Sequence, residues 1–214
     1  MRAGALVGAI LAAGASSRMR GADKLLEPVS GQALLLRTVM GARAALGAVL
    51  VTLPPPDTPR CAARRDALRG AADETGGTLE MAAVKDAQEG MAASLRLAAA
   101  WAESRLGSGS GGLLVAMADM PEIDAGAFRA LRSAWDASGG TQVIRAASAS
   151  GRPGQPVIFP RRLLPRLSQV TGDSGGRAIL RGEDAALVPL PGDAALIDLD
   201  TPEAWAAWRA AQRP

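Results

Sequence analysis

The sequence predicts an α/β protein with a doubly wound, mostly parallel sheet and helices on both faces. Short β-like runs alternate with stretches of helical periodicity, which is the pattern of parallel strands joined by crossover helices. The 214 residues, 48% hydrophobic and 21% charged, suffice for one sizeable core and are few for two. A segment rich in small residues and cations leaves the first apolar run, at the strand end where α/β sheets place ligands. One domain over residues 1–214 is the expectation.

Strands are expected at 5–11, 48–53, 78–84 and 113–117. Between them, 32–46, 59–72 and 91–106 carry Leu, Val, Met and Ala at helical spacing and read as crossovers. The Gly/Ser segment 107–112 reads as a flexible connector, and because it precedes a strand it is no dinucleotide fingerprint. A helix at 125–137, a strand near Val143 and a proline-bounded strand at Pro156-Val157-Ile158-Phe159 follow. The last third is less regular, with helical segments at 161–167, 176–180 and 202–211. Thr201 caps the last of these, with Pro202 at its first position.

Arg2, the apolar run 5–13 and the small residues Ala13-Gly14-Ala15 have the outline of a secretory leader. Gly4 and Gly8 dilute that run and a dense charged motif follows it directly, so a cytoplasmic protein is the simpler expectation. No other stretch approaches the roughly 20 apolar residues of a bilayer span, and no membrane association is expected. The 24 basic and 21 acidic residues leave a net charge of only +3, with no run of basic residues longer than two, so no nucleic-acid footprint is evident.

The chain has no His, no Tyr and one Cys, Cys61. Residue count alone therefore excludes a Ser-His-Asp triad, a Cys-His pair, a His/Cys zinc site and a disulfide framework. Carboxylate, hydroxyl, amide, Arg and Lys chemistry remains. Carboxylates hold hard cations such as Mg²⁺, and Arg and Lys hold phosphates, so the inventory points towards phosphate transfer or simple binding.

The loop from Leu11 to Leu26 concentrates these groups. Gly14 and its small neighbours let backbone N–H groups approach an anion, Arg18 offers a planar fork, and Lys24 a compact charge. The spacing is not that of a P-loop. A glycine-containing turn with solvated charges is the alternative, but of the 24 basic residues only Lys24 and Lys85 are lysines. Lysine is thus avoided almost everywhere else, and as a point charge on a phosphate it is not interchangeable with Arg.

Leu11-Ala12-Ala13-Gly14, Ser16, Arg18-Met19, Lys24-Leu25-Leu26 and Pro28 resemble the signature of molybdenum cofactor nucleotidyltransferases. Gly90-Met91-Ala92-Ala93-Ser94-Leu95, Ala118-Asp119-Met120-Pro121, Gly154-Gln155-Pro156-Val157-Ile158-Phe159, Gly172-Asp173-Ser174-Gly175-Gly176-Arg177 and Asp198-Leu199-Asp200-Thr201-Pro202-Glu203 follow in the family's order. The likeness runs from residue 6 to 205. Arg20 stands where the family usually has Gly, and Gly176 where Ala is frequent; neither departure removes a charged motif residue.

The resemblance implies a nucleotide-diphospho-sugar transferase-like fold and a set of roles. Leu11, Ala12, Ala13, Gly14, Arg18, Lys24, Gly90 and Ser94 would bind the nucleotide, with Lys24, Arg18 and Asp119 catalytic. Asp119 would be the Mg²⁺ ligand, completed by Asp200 with Asp198 as its neighbour; capping or turn formation is the alternative for Asp119 and Asp200. An ordinary helix start is the alternative for Gly90 and Ser94. Gln155, Asp173 and Arg177 would face the acceptor. Gln155 stands where the family often has His or Asn, and its amide keeps a polar contact without titrating.

The implied reaction is transfer of CMP from CTP to the phosphate of molybdopterin (molybdenum cofactor), with Ala13 in the first loop favouring CTP over GTP. A recipient molybdoenzyme or its maturation factor would be the protein partner. Guanylyl transfer to molybdenum cofactor, a sugar-phosphate nucleotidyltransferase and a non-catalytic nucleotide or pterin-cofactor carrier are the competing readings.

Overall fold

The computed structural model describes residues 4–72, 78–107, 109–172 and 175–212. Strand β1 (Ala5–Leu11) runs into a long loop holding two 3₁₀ turns, Ser17–Met19 and Lys24–Leu26. A two-residue hairpin, β2 (Pro28–Val29) with β3 (Gln32–Ala33), leads into α1 (Leu34–Arg43). Then come β4 (Ala48–Leu53), α2 (Pro59–Ala67), α3 (Arg69–Ala72), β5 (Thr78–Ala83), α4 (Met91–Leu106) and β6 (Gly111–Met117). The remainder comprises α5 (Ala125–Ala137), β7 (Val143–Ala147), β8 (Pro153–Pro160), α6 (Leu164–Leu167), α7 (Arg177–Leu180), β9 (Ala185–Pro189) and α8 (Pro202–Ala211).

Seven strands form one sheet in the order β5-β4-β1-β6-β8-β7-β9. All are parallel except β8, which runs against both neighbours. The chain winds outward from β1 through β4 to β5, then α4 carries it back to β6 on the other side of β1. The carboxyl ends of β1 and β6 therefore flank the point where winding reverses, the place such sheets offer to a ligand.

Alternation along β1 explains the two layers. Leu6 and Ile10 face a core shared with Leu35, Val39 and Ala42 of α1 and Phe128, Leu131 and Trp135 of α5. Val7, Ala9 and Leu11 face the opposite core, with Leu95, Ala98, Ala99 and Ala102 of α4. Each buried Leu, Val or Phe contributes about 1.5–3 kcal/mol, so the register of this interior strand is strongly fixed. Most of the leader-like apolar run is thus the interior strand β1, and among the described residues no helix is long and apolar enough to cross a membrane.

Several elements differ from expectation: residues 32–33 of the expected helix 32–46 form β3, and the expected helix 161–167 opens as a 3₁₀ turn over Arg161–Leu163. Gly111 and Gly112 belong to β6 and not to the preceding connector, pairing with Ala5 and Leu6 of β1, and residue 112 is glycine because a Cβ there would stand 2.6 Å from the Trp135 ring. The helix expected over 59–72 breaks at Leu68 into α2 and α3. Edge strand β9 carries no sequence signal beyond a short apolar run, since it pairs on one side only.

Helix α8 positions the far end of the chain. Its Trp205, 1% exposed, packs with Met19, Val29, Leu34 and Leu199. Arg209 sits 4.9 Å above the Trp205 ring and pairs with Glu27 at 2.7 Å. The C-terminal helix is thereby fastened to the loop after β1, and residues 198–200 are carried to that loop.

Candidate active site

Three carboxylates and a lysine meet at the winding reversal. Asp119 follows β6, and its backbone C=O accepts from Leu199 N–H at 3.2 Å, which ties the two acidic segments together. One oxygen from each of Asp119, Asp198 and Asp200 falls within 4.8 Å of the others. Lys24 Nζ donates to Asp119 Oδ2 and Asp200 Oδ1, both at 2.5 Å, and Arg18 reaches Asp200 Oδ2 at 2.5 Å. Thr201, and not Asp200, caps α8, accepting from Ala204 N–H at 3.2 Å. Neither Asp119 nor Asp200 is spent on capping.

Burial of Lys24 works against its charge, but Asp119 and then Asp200 outweigh it and hold the ammonium pKa above its ordinary value. Burial raises the Asp198 carboxyl, reinforced by the Asp119 and Asp200 charges and opposed by Lys24. Asp119 Oδ1 is buried and has no hydrogen-bond partner. An orphaned carboxylate oxygen beside two further acids is the donor set a hard divalent cation takes, so the residues fit such an ion.

The loop itself is held from below by Arg64, a fully buried arginine. Its Nε and Nη2 donate to the two oxygens of Asp23 at 2.8 and 2.9 Å, its Nη1 to Ala12 C=O at 2.6 Å and its Nη2 to Ser16 Oγ at 3.2 Å. Burial opposes the Asp23 charge, yet the Arg64 bonds, with Leu25 N–H and Ser16, bring its pKa below 3.8. One guanidinium thus fixes both limbs of the loop.

A cavity of about 220 Å³ opens above this support. Leu11, Ala12, Ala13, Gly14, Lys24, Gly90 and Ser94 all line it, so seven of the eight expected nucleotide residues converge there. Arg18, 68% exposed, stands outside the lining and joins through Asp200. Gly90 starts α4 at φ 73°, a left-handed conformation that favours glycine, and Ser94 lies one turn on, buried. The Ala13 methyl packs with Val84 and Ala93 in the cavity wall.

A second cavity of about 410 Å³ adjoins the first, sharing Met91, Met117 and Asp119. Gln155, Arg177 and Asp198 line it. Asp173 lies outside the described residues. A larger hollow of about 880 Å³, between α5 and α8, shares no lining residue with the carboxylate site. Its Arg37 and Arg209 are committed to Pro121 C=O and Glu27, which leaves it poor in free phosphate-binding groups.

A family model described as the MobA-like NTP transferase domain matches residues 8–189. The chain belongs to this family. As a MobA-like NTP transferase it is a nucleotidyltransferase, and its cavities and carboxylates stand where the sheet reverses. Among solved structures, Rv0371c from Mycobacterium tuberculosis H37Rv is 24% identical with a TM-score of 0.71, covering 95% of this chain and 97% of its own. The same protein has been solved in complex with manganese, with a TM-score of 0.67 at 23% identity over 95% and 97% of the chains. The 4-diphosphocytidyl-2C-methyl-D-erythritol synthase of Anaerococcus prevotii DSM 20548 is 14% identical with a TM-score of 0.67 over 98% and 97% of the chains. A CMP:2-keto-3-deoxy-manno-octonic acid synthetase complexed with CTP is 15% identical with a TM-score of 0.66 over 97% and 98%. At these identities the likeness is one of fold. No curated protein sequence matches the chain.

Two groups of this MobA-like transferase escape a motif-based reading. Arg64 and Asp23 carry the loop but line neither of the two adjoining cavities. A signal for Arg64 existed: it shares a helical face with Cys61 and Leu68, an arginine where the α2–α3 pattern calls for an apolar residue. Arg145 of β7 lines the second cavity, and an isolated arginine in a strand offers no such sign.

Proposed function

We propose that this chain, acting as a single domain over residues 1–214, transfers CMP from CTP to the phosphate of molybdopterin and releases pyrophosphate. The observation that carries the reading is the placement of Lys24, Asp119, Asp198 and Asp200 at the junction of two adjoining cavities. The smaller one, walled by Leu11 to Gly14, takes the nucleotide, and the larger takes the acceptor. The names of the two cytidylyl-type enzymes with this fold, and the CTP complex of one, support CTP as donor. Ala13 supports it through the first-loop resemblance. The acceptor rests on the run of motifs from residue 6 to 205.

Asp119 and Asp200, with Asp198 beside them, would hold Mg²⁺, and the manganese complex of Rv0371c supports a divalent ion in this fold. Bound there, the ion supplies charge neutralisation for phosphate oxygens. The chain's own groups do the remaining work. Lys24 shares its two carboxylates with any such ion and can turn its ammonium to the triphosphate, while Arg18 steadies the departing pyrophosphate from the exposed side. Gly90 lets α4 begin close to the nucleotide, so that Ser94 can bond the base or ribose. Gln155 and Arg177 face the acceptor, and the resemblance assigns Asp173 to the same role. A phosphate monoester, with a second pKa of about 6, is already ionised at neutral pH and needs no general base, which suits a chain without His.

Purified protein given CTP, molybdopterin and Mg²⁺ should release pyrophosphate in step with dinucleotide formation, and do so more slowly with GTP. Tight binding of either substrate without pyrophosphate would instead describe a carrier.

Lys24→Ala should reduce kcat roughly a hundredfold, the scale of losing one preorganised charge donor. Lys24→Arg should recover little, because a side chain only 12% exposed between two acids leaves no room for a broad fork. Steady-state kinetics at saturating CTP measure both; unchanged kcat in the pair returns Lys24 to a structural ion pair.

The Ala13 methyl makes part of the wall of a small cavity, so Ala13→Gly should narrow the CTP-over-GTP ratio of kcat/KM. One methyl is worth about 1–3 kcal/mol of such discrimination, too little for reversal. Competing the two nucleotides against wild type and variant gives the ratio directly, and an unmoved ratio assigns base choice elsewhere.

A further inference from the structure

Two arginines that form no ion pair with a described carboxylate line the second cavity, which Asp119 and Asp198 also line. Several surface arginines are paired: Arg162 and Arg166 with Glu183, Arg96 with Glu89, Arg105 with Glu80. Arg145 and Arg177 line the same cavity of about 410 Å³, and neither forms an ion pair with a described carboxylate. Arg145 is partly buried on β7, where its Nε donates to Gly154 C=O at 2.9 Å and holds the guanidinium in place. Burial, and then the charge of Arg177, lower the Arg145 pKa, so the two cations feel one another. Like charges facing a shared hollow cost energy unless an anion comes between them.

In the nucleotidyl-transfer reading the attacking phosphate has another place. It belongs beside Asp119, which follows β6, whereas Arg145 stands on β7, two strands away in the order β6-β8-β7. Strands lie about 4.8 Å apart, so the two backbones are roughly 10 Å apart, and the Arg145 guanidinium is held over β8 by Gly154 C=O. Gln155, between them on β8, has a buried Oε1 without a partner, which calls for a donor on the bound molecule.

We propose that Arg145 and Arg177 form a second oxyanion subsite, which selects acceptors carrying a negatively charged group at the end remote from the attacking phosphate. The proposal rests on the nucleotidyltransferase reading for its assignment of that cavity to the acceptor. Arg145 supplies the fixed, directional donor and Arg177, exposed on α7, supplies an adjustable one.

Inorganic phosphate is the probe. Calorimetric titration into protein saturated with a non-hydrolysable CTP analogue and Mg²⁺ should give one phosphate site in the wild type. Arg145→Gln and Arg177→Gln should each weaken it about tenfold or more, the effect of losing a charged hydrogen bond. Arg177 makes no hydrogen bond or ion pair to another described side chain, so its variant remains informative if loss of the Arg145 bond to Gly154 disturbs folding. Phosphate that binds all three proteins alike sits at the metal end or is an adventitious ion only, and overturns the subsite; so does the absence of binding to wild type. Failure of the CTP analogue to bind strikes the nucleotidyl reading instead, and phosphate titrated into nucleotide-free protein then still decides the subsite.

Discussion

Asp119→Asn should lower turnover about 100- to 1000-fold, the range for removing one preorganised electrostatic stabiliser, while the protein melts close to the wild type. Asn matches Asp in shape but brings no charge. Asp119 is the most central acid of the site: Oδ2 holds Lys24, Oδ1 is buried without a partner, and the residue lines both cavities. Lys24 keeps Asp200 in the variant, so no buried charge is stranded and the fold should persist. Pyrophosphate release across a Mg²⁺ titration checks this. A folded variant with near-normal turnover at ordinary Mg²⁺ would reject Asp119 as the principal ligand.

Arg64→Met should have the largest effect on stability. Removing one partner of a buried pair typically costs about 3–5 kcal/mol, and here Asp23, 9% exposed, is left with its charge and without its guanidinium. Ala12 C=O and Ser16 Oγ lose their donor as well, so the nucleotide loop should loosen and KM for CTP should rise. Urea denaturation of Arg64→Met, Asp23→Leu and the double variant separates stranding from loss of packing, because the double variant should recover much of the deficit. A loss under about 1 kcal/mol, the worth of an exposed pair, would deny Arg64 this role.

The same pair sets an acid limit. The folded Asp23 pKa is depressed below 3.8. Its contribution is therefore complete above that value and is lost as pH falls through the folded pKa. Wild-type stability should fall more steeply with acid below pH 3.8 than that of Asp23→Leu, a difference that pH-dependent urea titrations measure directly.

Much of the sheet was legible because its parallel strands are apolar throughout and its crossovers keep helical spacing. Strand β1, α4 and α5 match their sequence reading to the residue. Edge strand β9 was not, since one-sided pairing leaves little pattern. The site divides in the same way. Lys24, Asp119 and Asp200 lie in short motifs at element ends, where sequence order places them. Their meeting depends on Trp205 docking α8 against Met19 and Leu34, a long-range contact that no local window reveals. Arg64 and Arg145 act from the interior of regular elements, where an arginine looks like any surface charge until its partners are known.

Following the phosphorus atoms tests the central claim most directly. With Mg²⁺ and molybdopterin, CTP labelled at the α-phosphate should pass its label to the pterin dinucleotide, while label at the γ-phosphate should appear only in pyrophosphate. Label from the γ-position in the pterin product, or α-label that never leaves the nucleotide pool, would contradict cytidylyl transfer at this site.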